Sequence, residues 1–424
     1  MKDFIFFLTL WVVLPVNHAI AVVENESSAV RLTLSEAIQM GLTHNRNVAA
    51  SRLLADAEIF SVSAAESEFS LKTVPSLAVS KTSSEGLTAN QSTFQGSVGV
   101  QLRKKFNIGM ALSAEPTYYQ MIGSADHSSA LNLVLRQSLL KGFGSEINLD
   151  RVHRAEFDVK LSKQNVSQTK INTVLEVITA FYEALKQKQI AEINKSLAER
   201  LRQHVVLIGK KEKRGLTGPM DTYRALIRSK DAEESVARSE NVYLNYLSKL
   251  KWLLNLSGGV SLELVPEKLP ELDLTQPEED VKRANVELIQ LRTQKEEAVR
   301  LVRVAENTTL PDLQFQTNYR VPLMGPQPDS QQRWSIALQG STDLFRGEEK
   351  NSFERAKIRA EAVEVTLQLR SSDINRQVQQ SLLFIHAAKV RIDLRNAQIK
   401  EAEAKLALTK VKFAHDMTDN FELI

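Results

Sequence analysis

The chain has 424 residues, 43% apolar and 25% charged, a composition ordinary for folded protein with room for more than one domain. Its formal charge of +3 is spread over interspersed Lys, Arg, Asp and Glu; the one dense cationic cluster, Arg103-Lys104-Lys105, is too small for a nucleic-acid footprint, so no nucleic-acid partner is expected. The lack of cysteine excludes disulfides, thiolate catalysis, Cys-based metal sites and an N-terminal lipidated Cys.

In chain order, Lys2 precedes an apolar run from Phe4 to Val16, and Ala19-Ile20-Ala21 gives the small-residue pattern of a cleavage site. Residues 1–21 therefore read as a secretory signal peptide, since the run is shorter than a spanning helix needs. No later stretch is apolar enough for a transmembrane helix, so the mature chain is expected to be exported without a helical anchor.

Leu32-Thr33-Leu34-Ser35-Glu36-Ala37 opens a helix, with Ser35 as the expected N-cap, and Asn45 and Asn47 break it. A second helix over Val48 to Glu68 leads to Thr73-Val74-Pro75-Ser76-Leu77, where the period changes from 3.6 to 2. Phe94, Gly96, Val98, Val100 and Leu102 alternate with polar or small residues, Asn107-Ile108-Gly109 turns the chain, and Leu131, Leu133 and Leu135 alternate again. Strands are thus expected within 74–138, ended by Leu139-Leu140-Lys141-Gly142.

A long helix is expected next, over 145–211. It has no Pro, and its Gly-free run from Ser145 to Ile208 would be roughly 95 Å long at 1.5 Å per residue. Its expected seam is Ile171, Leu175, Ile178, Tyr182 and Leu185, then Ile193, Leu197, Leu201, Val205 and Ile208, on an otherwise polar surface. Gly215-Leu216-Thr217-Gly218-Pro219 makes a tip, with Gly218 at the N-cap, Pro219 at the first helical position and Asp221 favoured by the helix dipole. A return helix spans 220–256, and the Pro-rich stretch 265–278 reads as a linker.

The second half of the chain repeats the first. Leu272-Asp273-Leu274-Thr275 echoes Leu32-Thr33-Leu34-Ser35, Thr309-Leu310-Pro311 echoes Thr73-Val74-Pro75, and Leu344-Phe345-Arg346-Gly347 echoes Leu139-Leu140-Lys141-Gly142. The chain is read as an internal tandem duplication, 22–264 and 279–424, with Gly142 and Gly347 marking the two strand-to-helix transitions. The second copy has strands within 311–342 and a long helix over 348–413, whose seam is Phe353, Ala356, Ala360, Val363, Leu367, Ile374, Val378, Leu382 and Ile385. The first copy carries an additional hairpin at 91–121. The second stops soon after its tip without a return helix, so a truncated chain is expected.

Short strands with one apolar face, in an exported chain without a spanning helix, fit an outer-membrane barrel, although a half-buried soluble sheet alternates in the same way. One chain offers four strands, or six with the hairpin, whereas single-chain barrels begin at about eight, so closure needs several copies. A ring of such chains would continue the barrel as a hollow helical cylinder whose polar faces line water.

These linked features resemble the TolC family of outer-membrane efflux proteins: the Leu32 to Ile38 start, the Leu139-Leu140-Lys141-Gly142-Phe143-Gly144 exit, both tips, and the duplication. The resemblance implies a mainly α fold of long antiparallel coiled-coil helices that form a periplasmic tunnel, joined to strands of a trimeric, twelve-stranded outer-membrane β-barrel. It implies a homotrimer in outer-membrane lipid that docks to a periplasmic adaptor and an inner-membrane transporter, as a passive duct for efflux or type I secretion. Docking would fall to the tips, Gly215, Leu216 and Thr217 with Asp416, Met417 and Thr418. Asp221 and Glu422 match aperture and gating acids, and Thr418 and Phe413 stand where some members carry an Arg and a Tyr that hold the aperture shut. Asp419 and Glu422 also fit a capping box, a purely structural use.

No catalytic, cofactor-binding or metal-binding motif is present: His44, His127, His153, His204, His386 and His415 lack ligand spacing, and no enzymatic activity is expected. The rival reading is a soluble periplasmic coiled-coil adaptor or scaffold.

Overall fold

The computed structural model describes residues 30–85, 90–122, 127–267, 277–324 and 331–414. The expected signal peptide, linker positions 268–276 and the second tip, with Asp416, Met417, Thr418, Asp419 and Glu422, lie outside the described residues. In chain order the first elements are β1 (Val30–Leu32), α1 (Leu34–His44), α2 (Arg46–Glu66), a 3-10 turn (Ser67–Phe69), β2 (Lys72–Glu85), β3 (Asn90–Lys105), β4 (Met110–Ile122) and β5 (His127–Ser138). Then come α3 (Ser145–Asn148), α4 (Asp150–Glu212), α5 (Pro219–Leu253), β6 (Leu262–Leu264), α6 (Pro277–Ala284), α7 (Val286–Thr308), β7 (Asp312–Met324), β8 (Arg333–Ser341) and α8 (Gly347–Ala414). The order of two helices, strands and one long helix occurs twice, as α1-α2 to α4 and as α6-α7 to α8. Residues 30–45 with 173–267 form one compact unit, and 46–172 with 277–414 form the other.

In the first unit, β1 and β6 pair in parallel, Val30 opposite Leu262 and Leu32 opposite Leu264. Three-residue strands carry little period, which is why this bridge has no sequence signature. The N-cap of α1 is Thr33 and not Ser35: the Thr33 side chain accepts from the Glu36 N–H while the Glu36 carboxylate accepts from the Thr33 N–H at 2.9 Å. A capping box satisfies two otherwise orphan donors, more than Ser35 could offer. The Thr33 N–H and hydroxyl both donate to the Glu36 carboxylate, and these hydrogen bonds hold Glu36 below the usual carboxylate range.

The core of this unit joins Leu32, Ala37 and Leu264 to Val177, Ala180, Phe181 and Ala184 of α4 and to Leu250, Leu253 and Leu254 at the end of α5. Gly41 brings α1 close: a Cβ there would meet Val177 Cγ2 at 2.9 Å. Asn45, where α1 ends, donates to the Leu253 carbonyl at 2.9 Å, satisfying a group that the helix end leaves free.

Burial bears out the expected α4 seam in part: Ile208 is buried and Ile178, Tyr182, Leu185, Leu201 and Val205 are half-buried. Ile171, Leu175, Ile193 and Leu197 are exposed, at 43%, 58%, 62% and 44%, whereas Val177, Ala180, Phe181, Ala184, Ala191 and Ala198 are buried. α5 answers with small residues at Ala225, Ser229, Ala232 and Ser239. The buried face of α4 therefore carries alanines together with Val177, Phe181 and Ile208, while Ile171, Leu175, Ile193 and Leu197 are left on the outside. On α8 the expected seam does lie inward: Ile374 is buried and Phe353, Ala356, Ala360, Val363, Leu367, Val378, Leu382 and Ile385 are half-buried.

The second unit is built on one antiparallel sheet of order β2-β3-β4-β5-β7-β8. Ion pairs tie its helices together. Arg370 of α8 bonds both carboxylate oxygens of Glu287 on α7 at 2.7 Å, and Arg300 of α7 bonds Asp150 of α4 at 2.7 Å and Glu297 of its own helix. Arg300 is only 12% exposed, and its hydrogen bonds to Glu297 and Asp150 push its pKa still higher. A cation so placed needs both acids, because an unpaired buried charge is far costlier than the pair.

Candidate functional site

The sheet has two chemically distinct faces. Directly opposed residues share a face, so one row can be followed across five strands as Leu102, Ala114, Leu133, Tyr319 and Trp334. Parallel rows hold Leu112, Leu135, Thr317 and Ile336, then Pro116, Leu131 and Val321, then Leu77, Val98 and Tyr118. The opposite face carries Arg103, Ser113, Val134, Asn318 and Ser335 in one row, and Glu115, Asn132, Arg320 and Arg333 in the next. The apolar side chains have no cover: Leu77 is 78% exposed, Trp334 72% and Leu338 64%. A soluble sheet would bury such a face.

The polar face is the more crowded around Gly99: a Cβ there would meet Thr117 Cγ2 at 2.9 Å and Ser76 Oγ at 3.1 Å, while at Gly96, on the apolar face, it would meet nothing within 4 Å. Thr117 and Ala130 are buried beside Gly99.

The hairpin β3–β4 is part of this sheet. Its turn is fixed where the strands meet the helices: Gly144 N–H donates to the Ile108 carbonyl and Ser138 N–H to the Gly109 carbonyl. Gly109 has φ +90°, and a Cβ there would stand 2.5 Å from the Gly142 carbonyl oxygen. Lys105 pairs with Glu68 of the 3-10 turn, and this hydrogen bond holds Glu68 below the usual carboxylate range.

The two strand-to-helix transitions differ in detail. Gly142 takes φ +82°, its N–H donates to Asn307 Oδ1 at 2.8 Å and its carbonyl accepts from Asn148 Nδ2 at 2.8 Å. In the second, Gly347 is the first residue of α8, and the left-handed position is Arg346, φ 47°. The Arg346 guanidinium holds that conformation by donating to the Thr309 carbonyl at 2.6 Å and to Thr342 Oγ1 at 3.0 Å. Such φ values are common for Gly and uncommon for Arg, so Arg346 needs these hydrogen bonds where Gly142 does not.

At the first tip, Gly215 has φ +72° and its N–H donates to the Glu212 carbonyl, closing α4. Leu216 is 67% exposed, Gly218 is the N-cap and Pro219 starts α5. Thr222 donates to the Glu212 carboxylate at 2.6 Å across the tip. Asp221 lies 3.9 Å from Arg224, one turn along the same helix.

Among the described residues no group of three or more His, Cys, Asp or Glu could hold a metal ion, and no helix is long and apolar enough to cross a membrane. A cleft of about 540 Å³ is lined by residues of α7 and α8, but its acids Glu287 and Asp373 are both paired with Arg370.

Neither family models nor curated protein sequences match the chain. Solved structures do. The Campylobacter jejuni CmeC outer membrane channel shares 12% identity, covers 92% of this chain and 78% of its own, and superposes with TM-score 0.72. The fold is that of a TolC-type outer-membrane channel subunit. CusC, solved in a study of folding and transmembrane channel formation, gives TM-score 0.71 at 11% identity over 95% of this chain and 88% of its own. The outer membrane protein VceC of Vibrio cholerae gives 0.68 at 12% identity, over 92% and 88%. The architecture of this fold class, helical tunnel plus barrel, accounts for an uncovered apolar face that a soluble sheet does not explain.

Proposed function

We propose that the chain is a subunit of a passive export channel in the outer membrane of a Gram-negative bacterium, with a large periplasmic part. The observation that carries this reading is the six-stranded sheet with one face apolar and, among the described residues, uncovered, and the other face polar. Lipid-facing and lumen-facing residues alternate in this way along barrel strands, and open sheet edges are not tolerated in hydrocarbon, so one chain must be completed by others. The channel is a homotrimer. Each repeat, 22–264 and 279–424, supplies strands to the barrel and one long helix to the tunnel wall. The stripe of Ile171, Leu175, Ile193 and Leu197, left out of its own chain's core, is the face that a neighbouring copy covers.

Export by such a duct requires energy from elsewhere, and the channel works with a periplasmic adaptor and an inner-membrane transporter, in a tripartite efflux or type I secretion system. Gly215, Leu216 and Thr217, with Asp416, Met417 and Thr418, form the docking surface for the adaptor, and Asp221 and Glu422 ring the aperture. Membrane fractionation with gel analysis before and after heating, followed by planar-bilayer recording, tests the core of the reading. Heat-modifiable trimers in the outer-membrane fraction with single-channel conductance are expected, and recovery as a soluble periplasmic monomer overturns it.

A further inference from the structure

The six strands leave two open edges, β2 and β8, each a row of backbone N–H and C=O groups that hydrocarbon cannot satisfy. β2 leaves the helical end of the sheet just after α2 and the 3-10 turn, and β8 returns to that end just before α8. β8 of one copy laid beside β2 of the next is therefore antiparallel to it, and an even number of strands keeps every pairing in the ring antiparallel. The faces agree as well. Leu77 and Val79 on β2 and Trp334, Ile336 and Leu338 on β8 all belong to the same apolar side.

We infer that copies of this chain join head to tail through β8 and β2, and that the hairpin β3–β4 is barrel wall, so that the trimer closes eighteen strands, six from each copy. This rests on the trimer proposed above, and it replaces the twelve-stranded barrel that the family resemblance implies. A hairpin that capped the barrel or lay outside it would break the ladder between β2 and β5. Instead β3 pairs with β2 from Arg103 opposite Lys72 to Asn90 opposite Glu85, and β4 pairs with β5 from Met110 to Gln120. Its outward residues, Val98, Leu102, Leu112 and Tyr118, continue the apolar rows without interruption. With strands about 4.8 Å apart and tilted by about 40°, eighteen strands enclose a backbone cylinder about 36 Å across, against about 24 Å for twelve. Barrels of that larger size hold an aqueous channel and not a filled core.

The chain has no cysteine of its own, so engineered pairs report cleanly. In the full chain, Leu77→Cys is combined in turn with Trp334→Cys, Ile336→Cys or Leu338→Cys, three steps of register on one face. Oxidation is read on non-reducing gels, oligomer mass by native mass spectrometry, and strand number from electron cryomicroscopy of the unmodified assembly. Covalent ladders ending at a trimer, with eighteen strands in cross-section, are expected. A membrane-embedded trimer with twelve strands and the hairpin outside the wall, or a trimer in which no pair cross-links, overturns the inference and leaves the channel reading standing. A cross-linked ring of two copies overturns the eighteen-strand count and the trimer together, while a soluble monomer overturns the channel itself.

Discussion

Phe181 offers the sharpest test of how the tunnel helices pack. It is fully buried, edge-to-face with Tyr182 at 5.7 Å between ring centres, and surrounded by Ala180, Ala184, Leu250, Leu253 and Leu254. Phe181→Ala removes a large apolar side chain from a site lined by two helices that cannot collapse inward without moving α1 as well, because Gly41 already touches Val177. Truncations of this kind cost about 3–5 kcal/mol. For a unit of this size that corresponds to a melting-temperature drop of about 10 °C or more. The assay is loss of helical circular dichroism on heating the detergent-solubilised protein, with Leu175→Ala, at a position 58% exposed in its own chain, as comparison. Leu175→Ala is expected to leave chain unfolding nearly unchanged and to weaken trimer association. If Phe181→Ala shifts the melt no more than Leu175→Ala, the face of α4 that carries Phe181 is not its packing face.

Gly109→Ala combines a left-handed backbone position with a Cβ 2.5 Å from the Gly142 carbonyl, so it should destabilise the hairpin turn by about 1–3 kcal/mol, while Gly96→Ala, with open space around it, should not; urea unfolding in lipid vesicles separates them. Leu338→Arg, on the apolar face, should lose about 2–4 kcal/mol of membrane folding stability, and Gln339→Arg on the polar face much less. Equal losses would reverse the assignment of lipid and lumen sides. Glu68 has a native pKa depressed by the Lys105 hydrogen bond, so its contribution is present above the ordinary carboxylate range and lost as pH falls through its lower native value. Unfolding measured from pH 6 to pH 3 should therefore show a shallower loss of stability for Glu68→Gln than for the parent chain.

Periodicity is a strong signal where an element is long and one face is distinct. The change of period near Thr73, the alternation from Phe94 to Leu102 and from Leu313 to Val321, and the α8 seam all arise from that, and the structure has strands and a helix there. The α4 seam misleads in part, for a physical reason. Hydropathy favours Ile171, Leu175, Ile193 and Leu197, which lie exposed, over Ala184, Ala191 and Ala198, which are buried beside Val177 and Phe181; which face of a long helix is covered depends on the elements packed against it. Thr33 over Ser35 is a like case, where a local hydrogen-bond partner decides between neighbouring candidates.

By itself, then, the sequence determined the alternation of strands and long helices, their duplication, and the two-faced chemistry of the strands, because each is written in spacing along one segment. Only the tertiary structure decided that the hairpin around Phe94 to Tyr119 lies inside the sheet, between β2 and β5, with its turn fixed against Gly142. Alternation says which residues share a face, whereas strand order depends on which backbone edges pair across the chain, and no single segment carries that information.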